Sequence, residues 1–539
     1  MLKLLLQNFV VRTNFWPFAP LCRACYAFIL KWIVQNLQKE QDIIAIYLVS
    51  GMASGDYIPG LSDIDLFIIV KDVEGAKLRV GNRYTQISRM VPLLKNDEQA
   101  IVNLADIKRS FVQSGFYFKY KFFTECKKQG KLLYGVDILR DFKELDAAQR
   151  NEFIIGQMAF NWSLFLKNFL LKNNITDALI LNYFCYKLAS DTCKALISAR
   201  DGKEIFNRRA VLKYALPSFY GERKAHIERI TKLAQQKFLG VSGRLLEDTY
   251  NFCIETIKET VSFMPGIPLS DEDKQGHQDV YYDLSSLDFI LSDANKDAID
   301  LFVDRVKSKY TDYISSILVS PVDLLHMEEQ NIGIFLVPQK HLPLKVIKEL
   351  VAILGSQKCP QNLYLYVVIA DIAISLNGFE PTHIESAFFP LRWMSATFLY
   401  LSTAHAVRFG QPLNYSASKK LVRDYFCEDI RGAIEQDKMD IRRLINDQHI
   451  LRKENIEFQH LFWYAFRLRS IEGFVNAGKV YLPLSSKQVC QSYDNDRTPD
   501  LPWLGRFRKE YIKDLNGVPS DSESYFSQAL EVLKEHGFE

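Results

Sequence analysis

The stretch that decides the fold is Val49-Ser50-Gly51-Met52-Ala53-Ser54-Gly55-Asp56-Tyr57-Ile58-Pro59-Gly60-Leu61-Ser62-Asp63-Ile64-Asp65-Leu66-Phe67-Ile68-Ile69-Val70. The run before it, Ile43 to Val49, is uncharged and rich in β-branched and aromatic residues, the pattern of a buried strand. Leu66 to Val70 reads as a second strand. Glycines, serines and a proline crowd the interval, which is turn chemistry. Asp63-Ile64-Asp65 gives the stretch its chemical interest. Side chains two apart on a strand share a face, so both carboxylates project together while Ile64 turns into the core. Carboxylates held so close repel unless a cation neutralises them, and their hard oxygens suit Mg²⁺.

A strand, a Gly/Ser turn opening a short helix, and Ser-Asp-Ile-Asp-Leu on a second strand together resemble the DNA polymerase β-like nucleotidyltransferase superfamily. The resemblance implies Asp63 and Asp65 as catalytic metal ligands, with Ser50, Gly51 and Ser54 on the nucleotide-binding turn. The usual Gly-then-Ser order is reversed at Ser50-Gly51, and Ser54 stands where small-molecule members often carry Arg. The family adds a third carboxylate from a later strand. The strand Ala100–Leu104 has none, so Glu98, just before it, is the candidate, with Asp97 and Asp106 nearby.

Around this stretch, one apolar stripe (Tyr26, Leu30, Ile33, Leu37) predicts a helix over 23–40, a second helix fits 106–131, and residues 152–264 read as a helical bundle. The segment before Pro92 is ambiguous. Pro265-Gly266-Ile267-Pro268 and the polar run after it make a linker. The second half then restarts. Ile299, Phe302, Val303 and Val306 give an equivalent helix. Ile317–Pro321 lines up with Tyr47–Gly51 at an offset of 270 (317 − 47), and Asn331–Leu336 with Asp63–Ile68 at 268 (331 − 63). Weaker matches join Phe388 to Phe116, Phe409-Gly410 to Tyr134-Gly135, and Phe462–Leu468 to Asn182–Leu188. The expected fold class is α+β: a small mixed-sheet nucleotidyltransferase domain plus helical bundle, repeated twice. Its expected boundaries are 1–140, 141–270, 271–415 and 416–539. Asn331 and Gly333 stand where the first copy has its two aspartates, so the second copy is expected to keep the fold without the metals.

Composition narrows the partners. A net charge of +3 gives no bulk electrostatic case for nucleic acid. Nine scattered cysteines make no disulfide framework, and Cys22-Arg23-Ala24-Cys25 reads as a helix rather than a zinc site. No run of eighteen apolar residues exists, no membrane partner is expected, and the cytoplasm is the default compartment. Arg442 and His449 fit a loose ribonuclease spacing that chance readily produces. Asn207-Arg208-Arg209 and Arg223-Lys224 read as solvated helix ends, the alternative being a basic face toward an acidic acceptor. What the resemblance implies is Mg²⁺-dependent transfer of a nucleoside monophosphate, from ATP by preference, to a hydroxyl on a small molecule or protein. The competing reading is an inactive nucleotide-binding or assembly protein of the same fold.

Overall fold

A computed structural model describes residues 9–13, 18–73, 75–91, 93–94, 101–104, 126–140, 178–238, 244–263, 293–323, 331–355, 363–369, 372–375, 388–390, 406–411 and 531. The chain divides into two compact units, Met1–Val112 with Phe116–Met264, and Gln113–Gly115 with Pro265–Glu539. The division falls at the Pro-Gly-Ile-Pro stretch.

In the first unit, α1 (Phe18–Leu37) leads into β1 (Ile43–Leu48), then α2 (Ser50–Ala53), β2 (Leu66–Val70), α3 (Ala76–Met90), β3 (Ile101–Asn103) and β4 (Lys131–Gly135). The sheet runs β3-β2-β1-β4; β1 is antiparallel to β2 and β4, and β2 is parallel to β3. Parallel neighbours need a crossover, and α3 supplies it, resolving the segment before Pro92 as helix. Every residue of β2 is buried, which is why it reads as an unbroken apolar run. One face of the sheet (Ile46, Leu48, Leu66, Ile68, Val70) packs with Ile33 and Leu37 of α1 and with Val80, Tyr84 and Ile87 of α3.

The helices α4 (Ala178–Asp201), α5 (Arg208–Ala215), α6 (Gly221–Gln235) and α7 (Leu245–Phe263) follow, as the aromatic stripes predict for this part of 152–264. The central α4 is buried along most of its length and carries polar groups inside. Asn182 donates to the Phe238 carbonyl at 2.9 Å, and the Ser190 and Thr192 hydroxyls bond back to carbonyls one turn earlier. His226 on α6 is 3% exposed, with Thr249 Oγ1 at 3.3 Å from Nε2 and Arg229 Nη2 at 3.3 Å from Nδ1. Burial, and then Arg229, push its pKa down to about 4, with Asp248 pulling the other way.

The second unit contains α8 (Asp293–Lys309), β5 (Ile314–Asp323), β6 (Asn331–Pro338), α9 (Leu344–Gly355), β7 (Leu363–Ile369), β8 (Ile372–Ser375), β9 (Phe388–Pro390) and β10 (Ala406–Phe409). Ile299, Phe302, Val303 and Val306 are all buried, as the stripe predicts. Its sheet runs β10-β5-β6-β7-β8-β9. β5 is antiparallel to β6 and β10, and β6 is parallel to β7 with α9 between them. Four strands and two helices thus repeat the order and directions of the first unit.

The irregularities repeat as well. β1 and β2 slip register between Ile43 and Ala45, β5 and β6 between Ile314 and Ser316, and both positions differ by 271 (314 − 43, 316 − 45). The partners, Val70 and Pro338, differ by 268 (338 − 70). A second slip lies between Ile46 and Tyr47 against β4, and opposite Ile317 and Leu318 against β10. A bulge is a local insertion that twists and bends the strand, and two at matching places fix the correspondence. The first-strand offset is therefore 271, which corrects the 270 read from the sequence. Pro321 stands at the position of Ser50, not of Gly51.

Gly135 (φ +85°) and Gly410 (φ +79°) also occupy one position (410 − 135 = 275). A Cβ on Gly135 would lie 1.8 Å from the Ile44 carbonyl oxygen, and one on Gly410 would lie 1.9 Å from that of Ser315. The expected helical domain over 416–539, Arg442, His449 and the Phe462–Leu468 match lie outside the described residues.

Two outcomes are expected. Gly135→Ala and Gly410→Ala should each cost on the order of 3 kcal/mol, read by thermal melts. Gly55→Ala, with nothing within 4 Å of the added carbon, should cost less despite its φ of +75°. For His226 the folded pKa lies below the unfolded one, so its contribution is complete above pH 6.5 and fades as pH falls toward about 4. Denaturant titrations at pH 7 and pH 5 should show His226→Gln removing about 2 kcal/mol of the acid loss seen in the natural chain.

Candidate active site

The two strands stay zipped to the mouth of the turn: the Val49 N–H donates to the Asp65 carbonyl at 3.0 Å. Ser50 then adopts φ 57°, a left-handed conformation that a non-glycine residue holds only when its surroundings enforce it. The chain turns through α2. The Ser54 N–H returns to the Ser50 carbonyl at 3.1 Å and the Asp56 N–H to the Gly51 carbonyl at 2.8 Å. The Ser54 hydroxyl lies 3.2 Å from the Gly51 carbonyl, so it is engaged in the turn itself. Gly51 is not forced by packing, since an added Cβ would meet nothing closer than 3.8 Å.

Burial alternates along the second limb: Ser62, Ile64 and Leu66 are buried while Asp63 and Asp65 are half-buried. Ile64 is wholly buried in the helix-side core, and its N–H donates to the Leu93 carbonyl at 2.8 Å. Both carboxylates therefore lie on the face opposite that core, as strand periodicity requires. Glu98, Asp97 and Asp106 lie outside the described residues, and among the described residues no cluster of three or more acidic, His or Cys side chains is placed to hold a metal.

Groups from α1, α4 and α5 complete the surroundings, and local sequence did not show that they meet here. The Tyr26 hydroxyl donates to the Ser62 carbonyl at 3.0 Å and accepts from the Gly60 N–H at 3.0 Å; burial, with Asp63 adding to it, pushes its pKa up to about 12. The Tyr183 and Ser62 hydroxyls are 3.2 Å apart. Lys187 Nζ lies 5.2 Å from the centre of the Tyr183 ring. Tyr183 first, then Asp63 and Asp191, hold the Lys187 ammonium's pKa up against burial and Arg208.

Asp56, 6% exposed, accepts from the Arg208 N–H at 3.1 Å and from the Tyr186 hydroxyl at 3.4 Å. Arg208 lies between two acids, at 3.9 Å from Asp56 and 3.3 Å from Asp191. Burial lifts the Asp56 carboxyl above its ordinary range while Arg208 draws it back. Arg208 is therefore not the solvated helix end that its sequence suggests. Asn207 caps α5 through the Ala210 N–H and donates to the Ser54 carbonyl at 3.3 Å.

Residues 30–126 match the model of a nucleotidyltransferase domain, a span that holds the turn, Asp63 and Asp65 and amounts to under a fifth of the chain. That segment is a nucleotidyltransferase domain of the polymerase β-like kind. No curated protein matches the chain. Among solved structures it is similar to a spectinomycin adenyltransferase from Enterococcus faecialis, solved with ATP and spectinomycin. The two are 13% identical, the likeness covers 44% of this chain and 99% of that one, and the TM-score is 0.31.

Because the space beside Gly51 is open, Gly51→Ala should leave the melting temperature within about 2 °C of the natural chain, since a surface-like change away from special contacts costs little. A large drop would show that the turn needs glycine for its own folding.

Proposed function

We propose that the first unit transfers a nucleoside monophosphate, AMP by preference, from a nucleoside triphosphate to a hydroxyl group on a small molecule or protein. The observation that carries this reading is the half-buried pair Asp63 and Asp65, flanking the buried Ile64 just before β2, with the Val49 N–H bonded to the Asp65 carbonyl at the mouth of the turn. Two convergent carboxylates beside a single ammonium form an anionic, oxygen-rich donor set, which suits Mg²⁺ better than a softer metal. Bound there, divalent ions would neutralise the triphosphate and lower the pKa of an attacking hydroxyl.

The protein's own part is positioning and charge complementarity, which carry most of the acceleration in phosphoryl-type transfer. Asp63 and Asp65 would hold the metals. The Ser50–Gly51 turn would face the phosphates, with Ser54 closing the turn rather than gripping the ligand. Lys187, over the ring of Tyr183, whose hydroxyl lies 3.2 Å from that of Ser62, would offer a cation to a phosphate. Glu98 remains the proposed third carboxylate and proton acceptor.

The repeated sheet supports a second proposal, that the two units descend from one duplicated domain whose second copy is silent. Asn331 and Gly333 stand at the positions of Asp63 and Asp65 at the offset of 268 fixed by the bulges. Where the first unit turns into α2, β5 runs on to Asp323 with Pro321 at the position of Ser50. Proline fixes φ near −65° and cannot take up the positive φ of that turn. The second unit would serve as scaffold or regulator rather than as another catalytic centre. No helix among the described residues is long and apolar enough to cross a membrane; a cytoplasmic location remains a proposal.

The test is transfer of label from α-labelled ATP, with Mg²⁺ and cell extract. Asp63→Asn and Asp65→Asn should each lower labelling on the order of a thousandfold. Gly51→Ala should weaken ATP binding by crowding the ligand, with the fold unchanged. Asn331→Ala should change neither, and calorimetry should count one ATP per chain. Binding of ATP without label in any acceptor, under all four triphosphates, would replace transfer with a nucleotide-binding role.

A further inference from the structure

The segment between the turn and the carboxylates is hard to hold still. It contains the left-handed residues Ser50, Gly55 and Gly60, and its described backbone is irregular from Ser54 to Ser62. Two places hold it: Tyr26 of α1, bonded to the Gly60 N–H and the Ser62 carbonyl, and the junction of α4 and α5. Tyr183 and Tyr186, three residues apart on one face of α4, reach the two ends of the segment, at the Ser62 hydroxyl and the Asp56 carboxylate. At the N-terminus of α5, Asn207 holds the Ser54 carbonyl, and the Arg208 backbone and guanidinium hold Asp56. Arg209 adds a second cation at 4.0 Å from Asp56. Arg208 is itself fixed by Asp191 of α4, with Nη2 donating to Oδ2 at 3.5 Å.

A carboxylate with a 2% exposed side chain is a poor choice if stability alone were needed. Burying a charge costs several kcal/mol before its partners repay it, and an apolar residue of similar volume often stabilises more. What the ionic arrangement supplies is direction. Asp56 is tied to Gly51 through its own N–H and to α4 and α5 through its carboxylate, so the turn and the bundle are joined at one residue. Ser62, held by Tyr183 and bonded at Oγ to the Ile58 N–H, directly precedes Asp63.

We propose that the junction of α4 and α5 is a clamp that sets the nucleotide turn against the first metal-binding carboxylate, with Asp56 as a positioning residue and Arg208 as its counter-charge. The proposal rests on the reading of Asp63 and Asp65 given above, and it assigns the bundle a part in catalysis. Neither Asp56 nor Arg208 touches the reacting atoms; both act through the backbone of residues 51–62.

Hydrogen exchange on the full chain reads the clamp without turnover. Asp56→Asn and Arg208→Gln should each raise exchange about tenfold in residues 50–62 while β1, β2 and α7 keep their protection. Arg229→Gln, which breaks a surface ion pair with Asp248, should leave residues 50–62 unchanged. Unchanged protection of that segment in both variants overturns the clamp, and so does an equal loss across β1 and α7, the sign of a merely structural ion cluster.

In the labelling assay, Asp56→Asn should lower kcat about tenfold with KM for ATP within threefold, and Asp56→Asn with Arg208→Gln should be no worse than the worse single variant. Additive losses, or a change confined to KM, overturn the positioning role. If the natural chain transfers no label, the proposed activity fails while the exchange result still decides the clamp.

Discussion

The site depends on one constraint: Ile64 must be buried. Its side chain has no exposed surface, its N–H is tied to the Leu93 carbonyl, and strand geometry then sends Asp63 and Asp65 to the opposite face. Rotating either carboxylate away would pull Ile64 from the core or slip the strand by one residue, putting each side chain of β2 into packing shaped for its neighbour. The mutual repulsion of the acids is thus opposed by the hydrophobic core of the sheet. The bond from Val49 to Asp65 extends the same register to the turn, so the core fixes the distance between turn and acids.

How much of this was legible in the sequence follows from range. β1, the turn and β2 are written in adjacent residues, and each fell where the pattern placed it. α3 was ambiguous because a glycine, a threonine and a run of polar residues dilute its apolar stripe, although Val80, Tyr84 and Ile87 keep helical spacing and are buried. The surroundings of the site were not legible. Tyr186 is 130 residues from Asp56 and Arg208 is 152 away, and Asn182–Leu188 read only as a core stripe. Arg208 looks like any basic residue at a helix start until the fold brings two acids to it.

The likeness of the two sheets shows the converse limit. Local words aligned the halves to within one residue, but not better, because apolar strands resemble themselves under a small slip. Backbone irregularities resolved it. Two register slips and one left-handed glycine recur in the second sheet, each imposed by chain geometry rather than by residue type, and they place Asn331 and Gly333 at the acidic positions. What the two sheets share is pairing and its irregularities, and what they do not share is the acidic pair.

Pro321 gives that difference a direction. On the proposed reading, carboxylates placed at 331 and 333 would not by themselves make a second site, because β5 continues through Pro321 to Asp323, paired with Asn331, where the first unit turns into α2. Recovery would require the acids, the removal of proline and the unzipping of the strand end together, with each change alone conferring nothing. On the proposed reading, a second unit so altered could keep its sheet while the chemistry rests with the first.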